Sequence, residues 1–299
     1  MLDYPSLVAL AAVVREGSFD RAARALHVTP SAVSQRIRLL EERLGCALVV
    51  RGQPCEATET GRRLCLHIDR VGLLEHELRA DLPSLMQGPP TRVSIPLAVN
   101  ADSLATWFMA AANAFAHDHS PLLQIAVDDE SHTAHWLRSG QVLAAVTATV
   151  EAAAGCNSVL LGAMRYVAAA SPQFLAKHFP DGIDEQSLTR APSLSYGTKD
   201  ELQQRWVAQH LGIRAQIPRH TLPSPQAFVA AALGGMGWAM QPLALVRDDL
   251  ARRDLVELLP GCSMDIPLYW QHARMASSLI RDLTQVVVTA ARDGLVQYD

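Results

Sequence analysis

The chain has 299 residues, of which 49% are apolar, 19% charged and 5% aromatic. That length suits roughly two domains with more than one buried core, and the apolar share excludes a disordered chain. The 26 basic and 30 acidic side chains leave a net charge of −4, which excludes a globally cationic coat for nucleic acid or membrane.

The first 60 residues read as three short helices and a hairpin. Leu7, Leu10, Ala11 and Val14 recur at helical spacing and Gly17 stops the run. Ser18 is a good cap for a second helix carrying Phe19, Ala22, Ala23 and Leu26. In VTPSAVSQRIRLLEERLG, Thr29 caps a third helix, Pro30 suits its first position and Gly45 closes it. Val33, Ile37, Leu40 and Leu44 form its apolar stripe. Residues 48–50 and 56–58, around Gly52 and Pro54, then predict a two-stranded wing bearing Arg51. From about residue 59 to 85 the spacing of Leu64, Ile68, Val71, Leu78, Leu82 and Leu85 predicts one long helix, interrupted at Glu75. So narrow a stripe suits pairing with another helix. Residues 87–90, Gln-Gly-Pro-Pro, form a linker. Beyond it, strands at residues 93–99, 122–128 and 142–147 alternate with helices, the rhythm of a parallel sheet. A second set of strands falls at 165–170, 193–196 and 238–241.

Two short amphipathic helices joined by a tight turn suit a helix-turn-helix. Ser34, Gln35 and Arg36 then face base edges, and Thr29, Ser31 and Arg51 face phosphates, with Arg24 and Arg38 beside them. The plainer alternative is a helical bundle whose polar face is only solvated. Every cation in the first 90 residues is an arginine, since Lys177 and Lys199 are the only lysines. Arginine suits bidentate recognition of phosphate and guanine.

Other features narrow the setting. Cys46, Cys55, Cys65, Cys156 and Cys262 are odd in number and show no CxxC spacing, which fits reduced thiols in a cytosolic protein. Cys46 and Cys65 read as small apolar packing groups. The start, MLDYPSLVALAAVVREGS, lacks a basic leader and a cleavage site, so a cytoplasmic location is expected. Residues 221–246 carry no charge, but Gly234, Gly235, Gly237, Gln241 and Pro242 interrupt them, so no membrane span is expected. His117 with His119, and His132 with His135, lack a third ligand in a recognised pattern, so neither a metal nor a cofactor is expected. No nucleophile, phosphate-loop or dinucleotide motif is present, so an enzyme is not expected.

The run SFDRAARALHVTPSAVSQRIRLLEERLGCALVVRG, followed by TETGRRL, resembles the N-terminal signature of LysR-type transcriptional regulators. VSIPLAVNADSLATWF, VDDESHT, FPDGI and LYWQHAR resemble the ArgP (IciA) branch of that family, whose members respond to arginine or lysine. The resemblance implies an α/β protein with an N-terminal winged helix-turn-helix (1–60), a dimerising linker helix (61–90) and a two-lobed effector domain of the periplasmic-binding-protein type (91–299). Lobe 1 would take about 91–161 and 267–299, lobe 2 about 162–266, and a last helix over 279–295 would return to lobe 1. One departure stands at Pro30, where the family often has Gln; proline cannot donate to a base or phosphate.

In that frame the effector sits beyond the carboxyl ends of strands. Backbone N–H groups at the helix start formed by Asn100, Asp102 and Ser103, with the Ser103 hydroxyl, would receive an amino acid's carboxylate, and Asp128, Asp129 and Glu130 its cationic end. Thr147, Thr149 and Ser224 are further candidates. Each has a plain alternative as a cap or a solvated loop residue. The expected protein is a homodimer assembling to a tetramer, binding double-stranded promoter DNA and a basic amino acid, engaging RNA polymerase, and controlling amino-acid export or metabolism genes. Another small-molecule effector, or a cytosolic solute-binding protein, is the alternative.

Overall fold

A computed structural model describes residues 3–82, 93–128, 133–275 and 277–298. Helix α1 (Tyr4–Glu16) ends where Gly17 turns left-handed at φ 64°, a conformation open to glycine without steric cost. Next come α2 (Phe19–Ala25) and α3 (Pro30–Leu44), joined by a turn in which His27 takes a φ of 53°. Leu7, Leu10, Val13, Ala22, Ala23, Val33, Ile37 and Leu40 close one core. Two details differ from the sequence reading. Ser18 occupies the cap position of α2, yet its hydroxyl makes no cap bond. Leu44 is exposed, because the last turn of α3 serves the wing instead. There the Glu41 carboxylate accepts the backbone N–H groups of Leu48 at 2.8 Å and Val49 at 3.3 Å.

The wing consists of β1 (Val49–Val50) and β2 (Glu56–Ala57), paired antiparallel. It leads into α4 (Glu59–Asp81), a helix of 23 residues, about 35 Å long. Thr58 caps α4 by accepting from the Gly61 N–H at 3.1 Å, and donates its hydroxyl to the Ala47 carbonyl at 2.9 Å. A Cβ on Gly61 would lie 2.2 Å from the Leu48 carbonyl oxygen, so glycine is what lets α4 begin against the wing.

The single apolar stripe expected on α4 is corrected by the structure. Its buried positions are Leu66 and Leu73, in the core of the C-terminal part, whereas Leu64, Cys65 and Ile68 lean on the N-terminal core. Leu78 and Leu82 are exposed. The helix serves two bodies on different faces, so one periodic stripe does not describe it. The described helix ends at Asp81; Leu85 and the 87–90 linker lie outside the described residues. Arg15 on α1 pairs with Asp69 on α4 at 3.5 Å. Burial pushes the Asp69 carboxyl up to about 6, against the pull of Arg15. Burial likewise pushes the neighbouring Cys65 thiol up to about 12, which makes it inert at neutral pH.

The C-terminal part begins with β3 (Ser94–Asn100), α5 (Ala101–Ala105), α6 (Phe108–Asp118) and β4 (Leu122–Asp128). Then follow α7 (Thr133–Arg138), β5 (Ala144–Thr147) and the long β6 (Cys156–Ala170). Beyond it lie α8 (Pro172–His178), α9 (Glu185–Leu188), β7 (Ser193–Ser195), α10 (Leu202–Leu211) and β8 (Arg219–Thr221). The chain continues through α11 (Pro225–Leu233), β9 (Ala239–Pro242), α12 (Leu243–Arg252) and β10 (Val256–Glu257). It closes with β11 (Met264–Ala273) and α13 (Ser278–Gly294).

β4, β3 and β5 run parallel, as the βα rhythm predicts. β11 pairs antiparallel with β5 on one side and with β6 over ten positions on the other, and β6 also carries β9 and β10. Two long strands thus cross between two α/β lobes. α13 returns to the first lobe, where Leu283, Val287 and Ala291 join Ile95, Phe108 and Phe115 in the core. Among the described residues no helix is long and apolar enough to cross a membrane.

Two outcomes test this packing. Gly61→Ala should cost about 1–3 kcal/mol by overpacking, read as a lowered midpoint of the first urea transition; an unchanged midpoint contradicts the close approach of Leu48. Folding raises the Asp69 pKa, so its contribution is present below about pH 4 and lost as pH rises through about 6. The stability of Asp69→Asn relative to the parent should therefore rise by about 1–3 kcal/mol between pH 4.5 and 7.5. Parallel denaturation profiles for the two proteins refute the buried carboxylate.

Candidate effector cleft and nucleic-acid interface

α3 positions the first set of side chains. Thr29 accepts from the Ala32 N–H at 3.2 Å, as the capping pattern predicts. Ser31, Gln35 and Arg38 stand exposed one helical turn apart, with Ser34 and Arg36 half-buried between them. The Arg38 guanidinium donates to Glu42 at 2.8 Å, and that bond and charge raise its pKa. Arg36 has no ion-pair partner among the described residues. The Arg51 guanidinium lies 5.4 Å above the Phe19 ring centroid, a cation–π contact that holds the wing arginine beside α2. Arg24 on α2 reaches back to the Asp20 carbonyl at 3.5 Å. The helix and the wing arginine therefore belong to one small rigid body.

The second site lies between the lobes, beyond the carboxyl ends of β3 and β4, where Asn100 and Asp128 stand side by side in register. A cleft enclosing about 390 Å³, its open mouth included, is walled by Ala101, Asp102 and Asp128 of lobe 1. Tyr196, Asp200, Leu202, Phe228 and Met240 of lobe 2 face them. Asp102 accepts the Tyr166 hydroxyl at 2.6 Å and Asp128 accepts the Trp136 indole N–H at 2.9 Å. Asp200 is buried and accepts the backbone N–H groups of Tyr196 at 2.8 Å and Leu202 at 3.1 Å. Three carboxylates thus border the cleft, and none of its described lining residues is Lys, Arg or His. Asn100 is 1% exposed, yet neither its Oδ1 nor its Nδ2 has a partner among the described residues. A buried amide left unpaired costs free energy unless something polar meets it.

Some expected residues fall elsewhere. Ser103 is fully buried and its hydroxyl accepts from the Trp107 indole N–H at 3.1 Å, so it does not face the cleft. The i,i+4 spacing of Ser103 and Trp107 was a legible signal for this bond that the cap reading did not use. Thr147 is buried and accepts the Thr149 N–H at 3.1 Å, while the Thr149 carbonyl accepts from Gln271, so both shape a loop rather than line the cleft. Ser224 caps α11, accepting from Ala227 at 3.3 Å, and lines the outer part of the cleft together with Gln226. Asp129, Glu130 and His132 lie outside the described residues. The sequence reading missed Asp200, Tyr166, Tyr196, Phe228 and Met240. Asp200 had a legible signal, since it follows the carboxyl end of a predicted strand.

A DNA-reading head of this form, joined by a long helix to a two-lobed domain with a cleft, defines a ligand-responsive DNA-binding regulator. The family model "Bacterial regulatory helix-turn-helix protein, lysR family" matches residues 5–62, and "LysR substrate binding domain" matches residues 91–292. The chain belongs to the LysR family of transcriptional regulators. It is 44% identical over 298 residues to the HTH-type transcriptional regulator ArgP of Pseudomonas aeruginosa, spanning 99% of this chain and 98% of that one. The crystal structure of ArgP from Mycobacterium tuberculosis superposes with a TM-score of 0.81 at 40% identity, each chain fully covered. Full-length LysG from Corynebacterium glutamicum with bound effector Arg gives a TM-score of 0.70 at 35% identity, covering 99% of this chain and all of that one.

Proposed function

We propose that this regulator takes a basic amino acid, arginine or lysine, as its effector, and that the cleft between the lobes holds it. The observation that carries the reading is the cleft wall, with carboxylates Asp102, Asp128 and Asp200 and no basic side chain among its described residues. Such a wall disfavours an anionic ligand and favours one with two cationic groups. The arginine in the related LysG structure supports the same reading. The effector's ammonium and side-chain cation meet two of the three carboxylates, and the unpaired Asn100 amide meets a polar atom of the ligand. Its carboxylate is then best received at the start of α11, near the Ser224 hydroxyl, rather than at Asp102, which is itself an anion.

Binding draws the lobes into one arrangement, and it shifts the equilibrium only by its differential affinity for the two arrangements. The positive φ of Gly162 and the register shift between Leu268 and Tyr269 support a hinge for that motion there. On the DNA side, Ser34, Gln35 and Arg36 read bases, and Thr29, Ser31, Arg24, Arg38 and Arg51 hold backbone phosphates. Two copies paired through α4, and two such dimers together, would set the spacing of the helices on promoter DNA in the cytoplasm. The change in spacing is passed to RNA polymerase at genes of amino-acid export or metabolism.

Calorimetric titration of Asp102→Asn and Asp128→Asn with arginine and lysine tests the cleft. Loss of a charged hydrogen bond should weaken binding about 10- to 100-fold, and unchanged affinities with both amino acids overturn the placement. For the DNA face, Arg36→Ala should weaken operator binding by about 5- to 150-fold while the thermal midpoint stays put. An unaltered footprint removes Arg36 from base reading.

A further inference from the structure

Among the charged side chains of the linker helix, Glu77 bonds directly to the start of α13 in the effector domain. Glu77, on α4, accepts through Oε1 from the Ser277 hydroxyl at 2.7 Å, the Ser278 hydroxyl at 3.0 Å and the Leu279 N–H at 3.2 Å. These residues are the N-cap and first two positions of α13, 200 positions away in the chain. A helix start presents unpaired N–H groups and the positive end of its dipole, so a carboxylate there is well placed. Burial pushes the Glu77 carboxyl up, but the bonds from Ser277, Leu279 and Ser278 outweigh it and the net shift is downward. Glu77 is therefore an anion at neutral pH. α13 also has a cap of its own, because Ser277 accepts from the Ile280 N–H at 3.4 Å. The Glu77 bonds are thus additional to what the helix needs to form.

The far end of α13 touches the crossing strands. Val296, just beyond the helix, exchanges two backbone hydrogen bonds with Ala163 at 2.8 and 2.9 Å, and the Gln297 amide donates to the Leu161 carbonyl at 3.1 Å. Those contacts flank Gly162, whose φ is 122°. Between the two ends, Leu279, Ile280, Leu283, Val287 and Ala291 are buried in one core. A 17-residue helix is a rigid rod of about 25 Å, so a change at the lobe junction moves its start. On the other side, α4 is tied to the DNA-binding head by the Arg15–Asp69 pair and by Leu64, Cys65 and Ile68.

We propose that Glu77 is a positioning residue that couples the two halves of the regulator: its grip on the start of α13 passes lobe movement into α4 and so to the DNA-binding head. The contact is kept in one effector state and loosened in the other. Coupling of this kind is reciprocal, so loosening the grip changes how DNA and effector sense each other without changing what either site touches. The proposal rests on the effector reading above only for the ligand arm of its test.

The experiment compares full-length wild type, Glu77→Ala, Glu77→Gln and Ser278→Ala. Hydrogen exchange without ligand is the first readout. In Glu77→Ala, amides at the start of α13 should exchange about tenfold faster or more, with the core of α13 still protected and the thermal midpoint of the fold retained. Glu77→Gln, which keeps an acceptor oxygen but no charge, and Ser278→Ala should fall between. The second readout is operator affinity with and without L-arginine and L-lysine. In Glu77→Ala the ligand-induced change should collapse towards onefold, while ligand affinity in the absence of DNA stays within about twofold. Unchanged exchange at residues 277–280, or a wild-type ligand response in Glu77→Ala, overturns the proposal. If neither amino acid alters wild-type operator affinity, the effector reading fails, and the exchange result alone then decides whether Glu77 grips α13.

Discussion

The antiparallel pairing of β6 with β11 is the constraint that makes a cleft of two α/β units. From Met264 opposite Tyr166 to Ala273 opposite Cys156, the two strands stay together while crossing from lobe to lobe. The register shifts between Leu268, opposite Gly162, and Tyr269, opposite Leu160, so Leu161 is left over on β6. An extra residue of this kind bends a strand and sharpens its twist. Gly162 permits the bend, since its φ of 122° suits glycine, and a Cβ there would meet the Val296 carbonyl oxygen at 2.7 Å. Every wall of the cleft is placed relative to this junction. Tyr166, on the lobe-2 side of the bend, donates to Asp102 of lobe 1 and fixes how near the lobes stand.

Charge is distributed to match. The acidic surplus of the chain lies wholly beyond residue 90, and part of it borders the cleft as Asp102, Asp128 and Asp200. In the proposed reading these carboxylates attract a cationic ligand and disfavour an anionic one. Hydrogen bonds from Trp136, Tyr166 and the Tyr196 and Leu202 backbones orient these groups. In the proposed reading, a cation bound there favours one lobe arrangement only by its differential affinity for it, which is the requirement for an effector switch.

The N-terminal head was legible because local signals agreed with the packing: Gly17 and Gly45 end helices, Thr29 caps one, and Val33, Ile37 and Leu40 share a face. The first half of β6 and nearly all of β11 were not legible as strands. Asn157, Ser158 and Gly162 break the apolar run of β6, and Pro267 sits mid-way along β11. Pro267 is tolerated because Ala163, opposite it, exchanges its backbone hydrogen bonds with Val296. That arrangement depends on a segment 29 positions further on (267 to 296), which no local window contains. The same holds on α4, where Leu66 and Leu73 are buried by strands and helices that follow the linker. At the site, the carboxyl ends of predicted strands pointed to Asn100, Asp102 and Asp128. The folding of Asp200 into the wall is a tertiary fact, whereas the claim of Trp107 on Ser103 is a local i,i+4 contact that the cap reading passed over.

Pro30 sets which donors are available at the start of α3. Proline at the first position of α3 brings no N–H, and its fixed φ favours the helix. The Ala32 N–H is already given to the Thr29 hydroxyl. The Ser31 N–H and hydroxyl are then the donors left at this helix start for a phosphate in the proposed docking. In that docking, base reading falls further along the helix to Ser34, Gln35 and Arg36. In the same proposed docking Arg38 exchanges its Glu42 partner for a phosphate. An exposed pair of that kind is worth little in water, so it restrains the arginine in free protein at small cost to binding. A head with balanced charge then depends on placed contacts more than on overall attraction, which favours selective over indiscriminate association.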